Sequence, residues 1–128
     1  MASITTETRI LIVDDALTAR IALRNQIEKA GFKSVVDAAS VAAAWAILEK
    51  PDSQIGLILS DHNMPEETGL SFLIRVRADP RFKGLPFVMI TAEGESSSMV
   101  AAIKAGVSQY LVKPVQTELL LKKISSLT

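Results

Sequence analysis

Five short runs of apolar residues constrain this chain more than any other feature: Ile10-Leu11-Ile12-Val13, Val35-Val36, Leu57-Ile58-Leu59, Phe87-Val88-Met89-Ile90 and Tyr110-Leu111-Val112. Runs of this length without polar alternation suit strands buried on both faces. A stretch of helical period follows each of them. Ala19, Leu23, Ile27 and Ala30 recur at helical spacing over about 17–30, and Gly31 supplies a stop signal. Ser40 caps an Ala-rich helix to about Glu49, closed by Pro51. Gly69 opens a third helix with Leu70, Leu73, Ile74 and Val76 at i, i+3, i+4 and i+6, and it ends near Asp79-Pro80. A fourth over 96–105 places Met99, Ala102 and Ile103 on one side, with Gly106 as its stop. A fifth over 116–127 turns Leu120, Ile124 and Leu127 to one face. Strand and helix thus alternate five times. That predicts an α/β fold with a doubly wound parallel sheet, in a domain over 9–128 behind a flexible polar lead-in over 1–8.

The runs end on polar residues. Asp14-Asp15 closes the first, Asp61 the third, Thr91 the fourth and Lys113-Pro114 the fifth. In open parallel sheets ligands bind beyond the carboxyl ends of the strands, so these groups are expected to meet. Three carboxylates brought together repel unless a cation or proton intervenes. Oxygen ligands with no Cys and a single His point to Mg²⁺, with Mn²⁺ as a substitute, rather than zinc. Lys113 adds a point positive charge, Thr91 a hydroxyl and Ala92 a backbone donor. A carboxylate beside a divalent cation and fixed positive donors suits phosphoryl transfer onto an aspartate.

Taken singly, each residue has a plainer reading. Asp14-Asp15 could cap a helix, Asp61 could merely end a strand before Met64-Pro65, and Lys113-Pro114 could be a solvated turn. Their coincidence at four strand ends favours a site. His62 should point away from Asp61 and so take no catalytic part. Trp45 is expected to pack or to form a half-exposed platform. One helix face cannot bury all of Leu119-Leu120-Leu121, so one of them should be exposed.

The global features exclude other classes. At 128 residues and 48% hydrophobic, the chain can bury a core without staples. Net charge is zero, so neither nucleic acid nor anionic membrane is an expected partner. No apolar stretch reaches membrane-spanning length and residues 1–8 lack a signal-peptide core, which leaves the cytoplasm as the expected location.

The set Ile-Val-Asp14-Asp15, Ser60-Asp61-His62-Asn63-Met64-Pro65, Gly69, Ile90-Thr91-Ala92-Glu93, Ala105-Gly106 and Tyr110-Leu111-Val112-Lys113-Pro114 resembles the response-regulator receiver domain, in its single-domain CheY-like form, from about Arg9 to Leu127. The resemblance implies a flavodoxin-like (βα)5 fold with strand order 2-1-3-4-5. It implies that Asp61 accepts a phosphoryl group from a sensor histidine kinase or phosphotransfer protein. Asp15 and Asp61 would ligate Mg²⁺ directly, Asn63 through its backbone carbonyl, and Asp14 through water. Lys113, joined to Pro114 by a cis bond, would meet the phosphoryl oxygens. Thr91 and Tyr110 would switch, altering the face of the fourth helix, fifth strand and fifth helix for a downstream protein. It further implies a monomer or weak dimer, with self-phosphorylation and self-dephosphorylation as the only enzymatic activity. Asn63 and Glu93 flanking the site suggest rapid self-dephosphorylation.

The sequence departs from the common pattern at Glu67-Thr68-Gly69, where many members have Met-Asp-Gly, at Val115, where Phe is frequent, and at Val41 after Ser40, where Gly is usual. The chain after Glu49 is also slightly longer. Nothing after Leu127 suggests a linker, which favours a stand-alone receiver. The alternatives are a phosphorelay intermediate, a receiver excised from a hybrid kinase or multidomain regulator, and an unphosphorylated scaffold. More distant is an aspartyl-nucleophile phosphohydrolase, whose second Asp would fall at Asn63.

Overall fold

A computed structural model describes residues 4–92 and 96–127. Five parallel strands, β1 (Arg9–Val13), β2 (Ser34–Ala38), β3 (Ile55–Asp61), β4 (Phe87–Thr91) and β5 (Gln109–Val112), form one sheet in the order β2-β1-β3-β4-β5. Five helices alternate with them: α1 (Leu17–Lys29), α2 (Val41–Leu48), α3 (Gly69–Ala78), α4 (Ser96–Lys104) and α5 (Thr117–Ser125). Chain order reverses between β1 and β3, so the crevice beyond Val13 and Asp61 is the switch point at which such sheets bind ligands.

The central strands are buried on both faces, as their unbroken apolar runs require. Ile10, Ile12, Leu57, Leu59, Val88 and Ile90 pack with Leu23 and Ile27 of α1 and Leu120 and Ile124 of α5. Leu11, Val13, Ile58, Phe87 and Met89 pack with Val41, Ala44 and Leu48 of α2 and Phe72, Leu73 and Val76 of α3. Trp45 sits edge-on to Phe72 and Phe82 at centroid distances of 6.4 and 5.6 Å, on the α2–α3 side.

Helix boundaries follow local chemistry. The Ser40 hydroxyl accepts from the Ala43 amide at 3.1 Å, and the Thr68 hydroxyl from Ser71 at 3.1 Å. Gly31 and Gly106 end α1 and α4 at φ of 104° and 95°, a region that a side chain disfavours. Residues 4–8, read from the sequence as a flexible lead-in, touch the domain: Ile4 packs near the α1–α5 cluster and the Thr6 carbonyl accepts from the Lys33 amide at 3.1 Å.

Two inward faces differ from expectation. In α3 the buried set is Gly69, Phe72, Leu73 and Val76, and Ile74 is 52% exposed. The spacing i, i+3, i+4, i+7 is the true helical stripe, and it passes through Phe72 rather than Ile74. In α4 Ala102 is buried, Met99 is half-buried and Ile103 is 61% exposed. A small side chain carries the inner face there and leaves larger ones outside.

Arg77 fastens the end of the domain opposite the switch point. Its guanidinium donates to the carbonyls of Gly106 (2.9 Å), Lys83 (3.1 Å) and Leu85 (2.7 Å) and approaches the Ser108 hydroxyl at 3.4 Å. Burial pulls its pKa down, and the surrounding carbonyl dipoles stabilise the charge that burial penalises. Replacing Arg77 with Ala should lower stability by about 3 kcal/mol, because it removes charge-assisted bonds and strands carbonyls. Lys should recover little of this, lacking the planar fork. Urea unfolding of the two variants measures both effects.

Candidate functional site

The carboxyl ends of β1 and β3 deliver the acidic residues together. Asp14 follows Val13 directly, and its amide donates to the Ala38 carbonyl at 3.1 Å, continuing the β1–β2 pairing by one residue. Asp61 is the last residue of β3, paired in register with Ile90 of β4. Side chains alternate along a strand, so Asp61 shares the α1–α5 side with Leu57 and Leu59. Oxygen atoms of Asp14, Asp15 and Asp61 all lie within 4.8 Å of one another. Asp14 and Asp61 are buried, and Asp15 is exposed at the rim. Neither acid caps α1, whose N-cap is Ala16 with no side-chain bond; Asp14 Oδ1 instead accepts from the Ala16 amide at 2.9 Å.

Lys113, one residue beyond β5, supplies the positive charge. Its ammonium stands 2.8 Å from Asp14 Oδ2 and 3.7 Å from Asp61 Oδ1. Partial burial pulls the Lys113 pKa down, but the Asp14 hydrogen bond and the charge of Asp61 outweigh it, leaving the group above its ordinary value. For Asp61 the balance goes the other way. Desolvation and then Asp14 push its pKa up, against the opposing pull of Lys113 and of the His62 amide, which donates at 2.9 Å. One lysine does not neutralise three carboxylates.

The backbone at Asp61 is held tightly. Ser60 donates its hydroxyl to the Asp61 carbonyl at 2.9 Å. The α3 N-terminus presses on the same peptide: a Cβ at Gly69 would lie 2.2 Å from the Asp61 carbonyl oxygen and 2.9 Å from His62 Cα. Only glycine allows that approach. His62 turns to α3, where Nδ1 accepts from the Leu70 amide at 3.3 Å, as expected for a residue pointing away from the acids.

The other expected residues lie close in the topology. Thr91 is fully buried at the end of β4, and its carbonyl accepts from the Lys113 amide at 2.8 Å, linking it to the strand that bears the lysine. Ala92 follows it, exposed. Glu93 lies outside the described residues. Tyr110 of β5 is half-buried against the α2–α3 cluster, its hydroxyl 3.3 Å from that of Ser98 on α4. Asn63 is exposed in the loop after Asp61. The Lys113–Pro114 bond is cis.

Supporting residues escaped the sequence reading. Arg20 donates to the Asp14 carbonyl at 2.8 Å, and Gln26 to the Val115 carbonyl at 2.9 Å, so α1 steadies both the acidic turn and the lysine-bearing loop. Neither lies at a strand end or within the receiver motifs that mark the site in the sequence. Between α1 and that loop a cavity of about 330 Å³ opens beside Asp61, lined by Ala19, Ala22, Leu23, Ile90 and Val115. Val115, where the family often has Phe, contributes to its walls.

The donor set suits a small hard cation. Three carboxylates, two of them desolvated, converge without sulfur or imidazole among them, and the excess negative charge is what a divalent ion offsets.

Comparison with known proteins agrees with this geometry. A family model for the response regulator receiver domain matches residues 10–125. The chain is 38% identical over 116 residues to the chemotaxis protein CheY1 of Helicobacter pylori strain J99, covering 91% of this chain and 93% of that protein. It is 37% identical over 119 residues to the chemotaxis protein CheY of Pseudomonas aeruginosa, covering 93% and 94%. The high-resolution structure of the chemotaxis response regulator CheY4 of Vibrio cholerae superposes with a TM-score of 0.85 at 31% identity, over 95% of this chain and 99% of that one. With its strand order, acidic cluster and strand-end lysine, this chain belongs to the response-regulator receiver family and is a receiver of two-component signalling.

Proposed function

We propose that the chain is a phosphoacceptor switch in which Asp61 takes a phosphoryl group from a phosphohistidine on a sensor kinase or phosphotransfer protein. The observation that carries the reading is the convergence of Asp14, Asp15 and Asp61 on Lys113 at the switch point. An Asp61 carboxylate oxygen attacks phosphorus, the phosphorus–nitrogen bond of the donor breaks, and the imidazole leaves with the bonding pair. Lys113, already 3.7 Å from Asp61, compensates charge on the arriving phosphoryl oxygens. The Thr91 hydroxyl and Ala92 amide donate to the same group. Asp15 and Asp61 would hold Mg²⁺ through their side chains, Asn63 through its carbonyl and Asp14 through water. The bound cation offsets carboxylate and phosphoryl charge.

The output is a protein contact. Val100, Ile103, Val112 and Leu119 are each more than 40% exposed, and they lie on α4, β5 and α5. Leu17 and Ile21 on α1 and Ile74 on α3 are exposed as well, but these four on three consecutive elements are the larger group and support the α4-β5-α5 face as the partner surface. Thr91 and Tyr110, on the strands leading to that face, are the switch residues. The relatives named as chemotaxis proteins support a chemotaxis pathway, and the proposed protein is cytoplasmic and a monomer or weak dimer. Among the described residues no helix is long and apolar enough to cross a membrane.

Incubation with Mg²⁺ and acetyl phosphate should add the mass of one phosphoryl group, read by intact mass spectrometry. The adduct should need Mg²⁺ and vanish in Asp61→Ala. Wild-type protein that gains no mass, and binds no beryllofluoride, would move the chain to the scaffold reading.

The charge excess also predicts a stability effect. Asp61 has a folded-state pKa above its unfolded value, so between the two the folded state binds more protons and stability falls as pH rises. Neutralising Asp61 as Asn should therefore raise the urea midpoint of metal-free protein at pH 7. The gain should shrink as pH drops to the ordinary carboxylate pKa of about 3.9. Unfolding curves at several pH values in chelator test it.

A further inference from the structure

The loop from His62 to Thr68 runs from the phosphoacceptor strand to α3, and its conformation is costly to hold. Glu66 sits at φ 72°, a left-handed backbone unfavourable for a residue with a side chain. The Glu67 amide donates to the Pro65 carbonyl at 2.8 Å, closing a tight turn. On its outer side a cleft of about 120 Å³ separates Pro65 and Glu66 from Ser40 and Val41 at the start of α2. Close packing on that side does not fix the loop.

Met64 is buried in the core and the Gly69 amide closes the loop on the His62 carbonyl at 2.9 Å. What is left to tie down is the exposed turn at Pro65 and Glu66, and Glu67 does that. One carboxylate oxygen accepts from Arg75 Nη1 at 2.8 Å and the other from the Ser71 hydroxyl at 2.8 Å, both on α3. Arg75 is itself pinned, its guanidinium 4.4 Å from the Trp45 ring centroid. Partial burial pushes the Glu67 pKa up, but Ser71 and Arg75 overcome this and hold it below the usual range. An exposed ion pair alone would matter little. Here both oxygens are engaged and the arginine is also held against the partly buried Trp45 ring.

We propose that Glu67 is a positioning residue for the cation site: its clamp to Arg75 and Ser71 fixes the loop that presents the Asn63 carbonyl beside Asp61. This rests on the reading of Asp15, Asp61 and Asn63 as Mg²⁺ ligands. The clamp occupies the position where Met is common in the family, so in this chain a charged tether takes the place of an apolar one.

The test uses Glu67→Gln and Arg75→Lys in the full chain, with Arg81→Gln as a control. Arg81 forms a distant ion pair with Glu49 at 3.2 Å. Calorimetry gives the Mg²⁺ dissociation constant, hydrogen exchange the loop amides in chelator, and urea unfolding the global fold. Glu67→Gln should weaken Mg²⁺ binding roughly tenfold, the lower end of what outer-shell partners of a metal contribute. Its amides at 63 and 66–69 should exchange faster, with the urea midpoint near that of wild type. Arg75→Lys should do the same, since Lys lacks the planar group that lies on Trp45, and Arg81→Gln should do neither. Wild-type affinity and exchange in a folded Glu67→Gln protein would overturn the proposal alone. Wild-type protein that binds no Mg²⁺ would overturn the ligand reading, and the proposal with it.

Discussion

The structure depends on an electrostatic mismatch kept at one edge of the sheet. Asp14 and Asp61 are buried beside the exposed Asp15, and among the described residues the one cation paired with them is Lys113, bonding Asp14 at 2.8 Å and standing off Asp61 at 3.7 Å. Desolvated like charges are among the most costly arrangements a small domain can hold. The rest of the fold makes the arrangement tolerable. A sheet buried on both faces fixes the strand ends, α1 steadies the acidic turn through Arg20 and the lysine-bearing loop through Gln26, and Gly69 lets α3 brace the Asp61 peptide. The domain stores its unfavourable charge where a cation and a phosphoryl group would use it.

The same placement explains how a local charge change could be felt elsewhere. Lys113 stands three residues after Tyr110, just past the end of β5, and its amide is bonded to the Thr91 carbonyl at 2.8 Å. A phosphoryl group competing with Asp14 for the ammonium would act directly on the β4–β5 pair. Tyr110 carries that pair toward α4 through its contact with Ser98, and α4 turns Val100 and Ile103 outward above it. A small inner face on α4, centred on Ala102, gives the helix little apolar anchorage against the sheet. An element held by few large contacts is one that a modest bias can shift. In the proposed switch, the site and the output face thus share two strands rather than a long chain of intermediates.

The parts legible in the sequence were those written in one dimension. Unbroken apolar runs gave the five strands because parallel strands buried on both faces have no polar alternation. The polar residue ending each run could be assigned to one edge because all strands point the same way. Ser40, Gly31 and Gly106 marked helix ends because capping and left-handed turns are local. What stayed hidden depends on three dimensions. Arg77, Arg20 and Gln26 act on carbonyls outside their own helices, 29, 6 and 89 residues away, and an arginine or glutamine on a helix looks the same whether it meets water or a loop. The inner faces of α3 and α4 were misjudged because several apolar residues competed for each. Packing chose Phe72 and Ala102 over Ile74 and Ile103.

Glu67-Thr68-Gly69 stands between these cases. From sequence it was only a departure from a common pattern, with no indication of what replaced the missing residues. In the fold the three residues act separately. Thr68 caps α3, Gly69 admits the Asp61 carbonyl, and Glu67 reaches Arg75 and Ser71. Glu67 is therefore tied through Arg75 to Trp45, which nothing in the local sequence links to the acidic site. A receiver can keep its acids, its lysine and its strand order while changing how it holds the loop beside them.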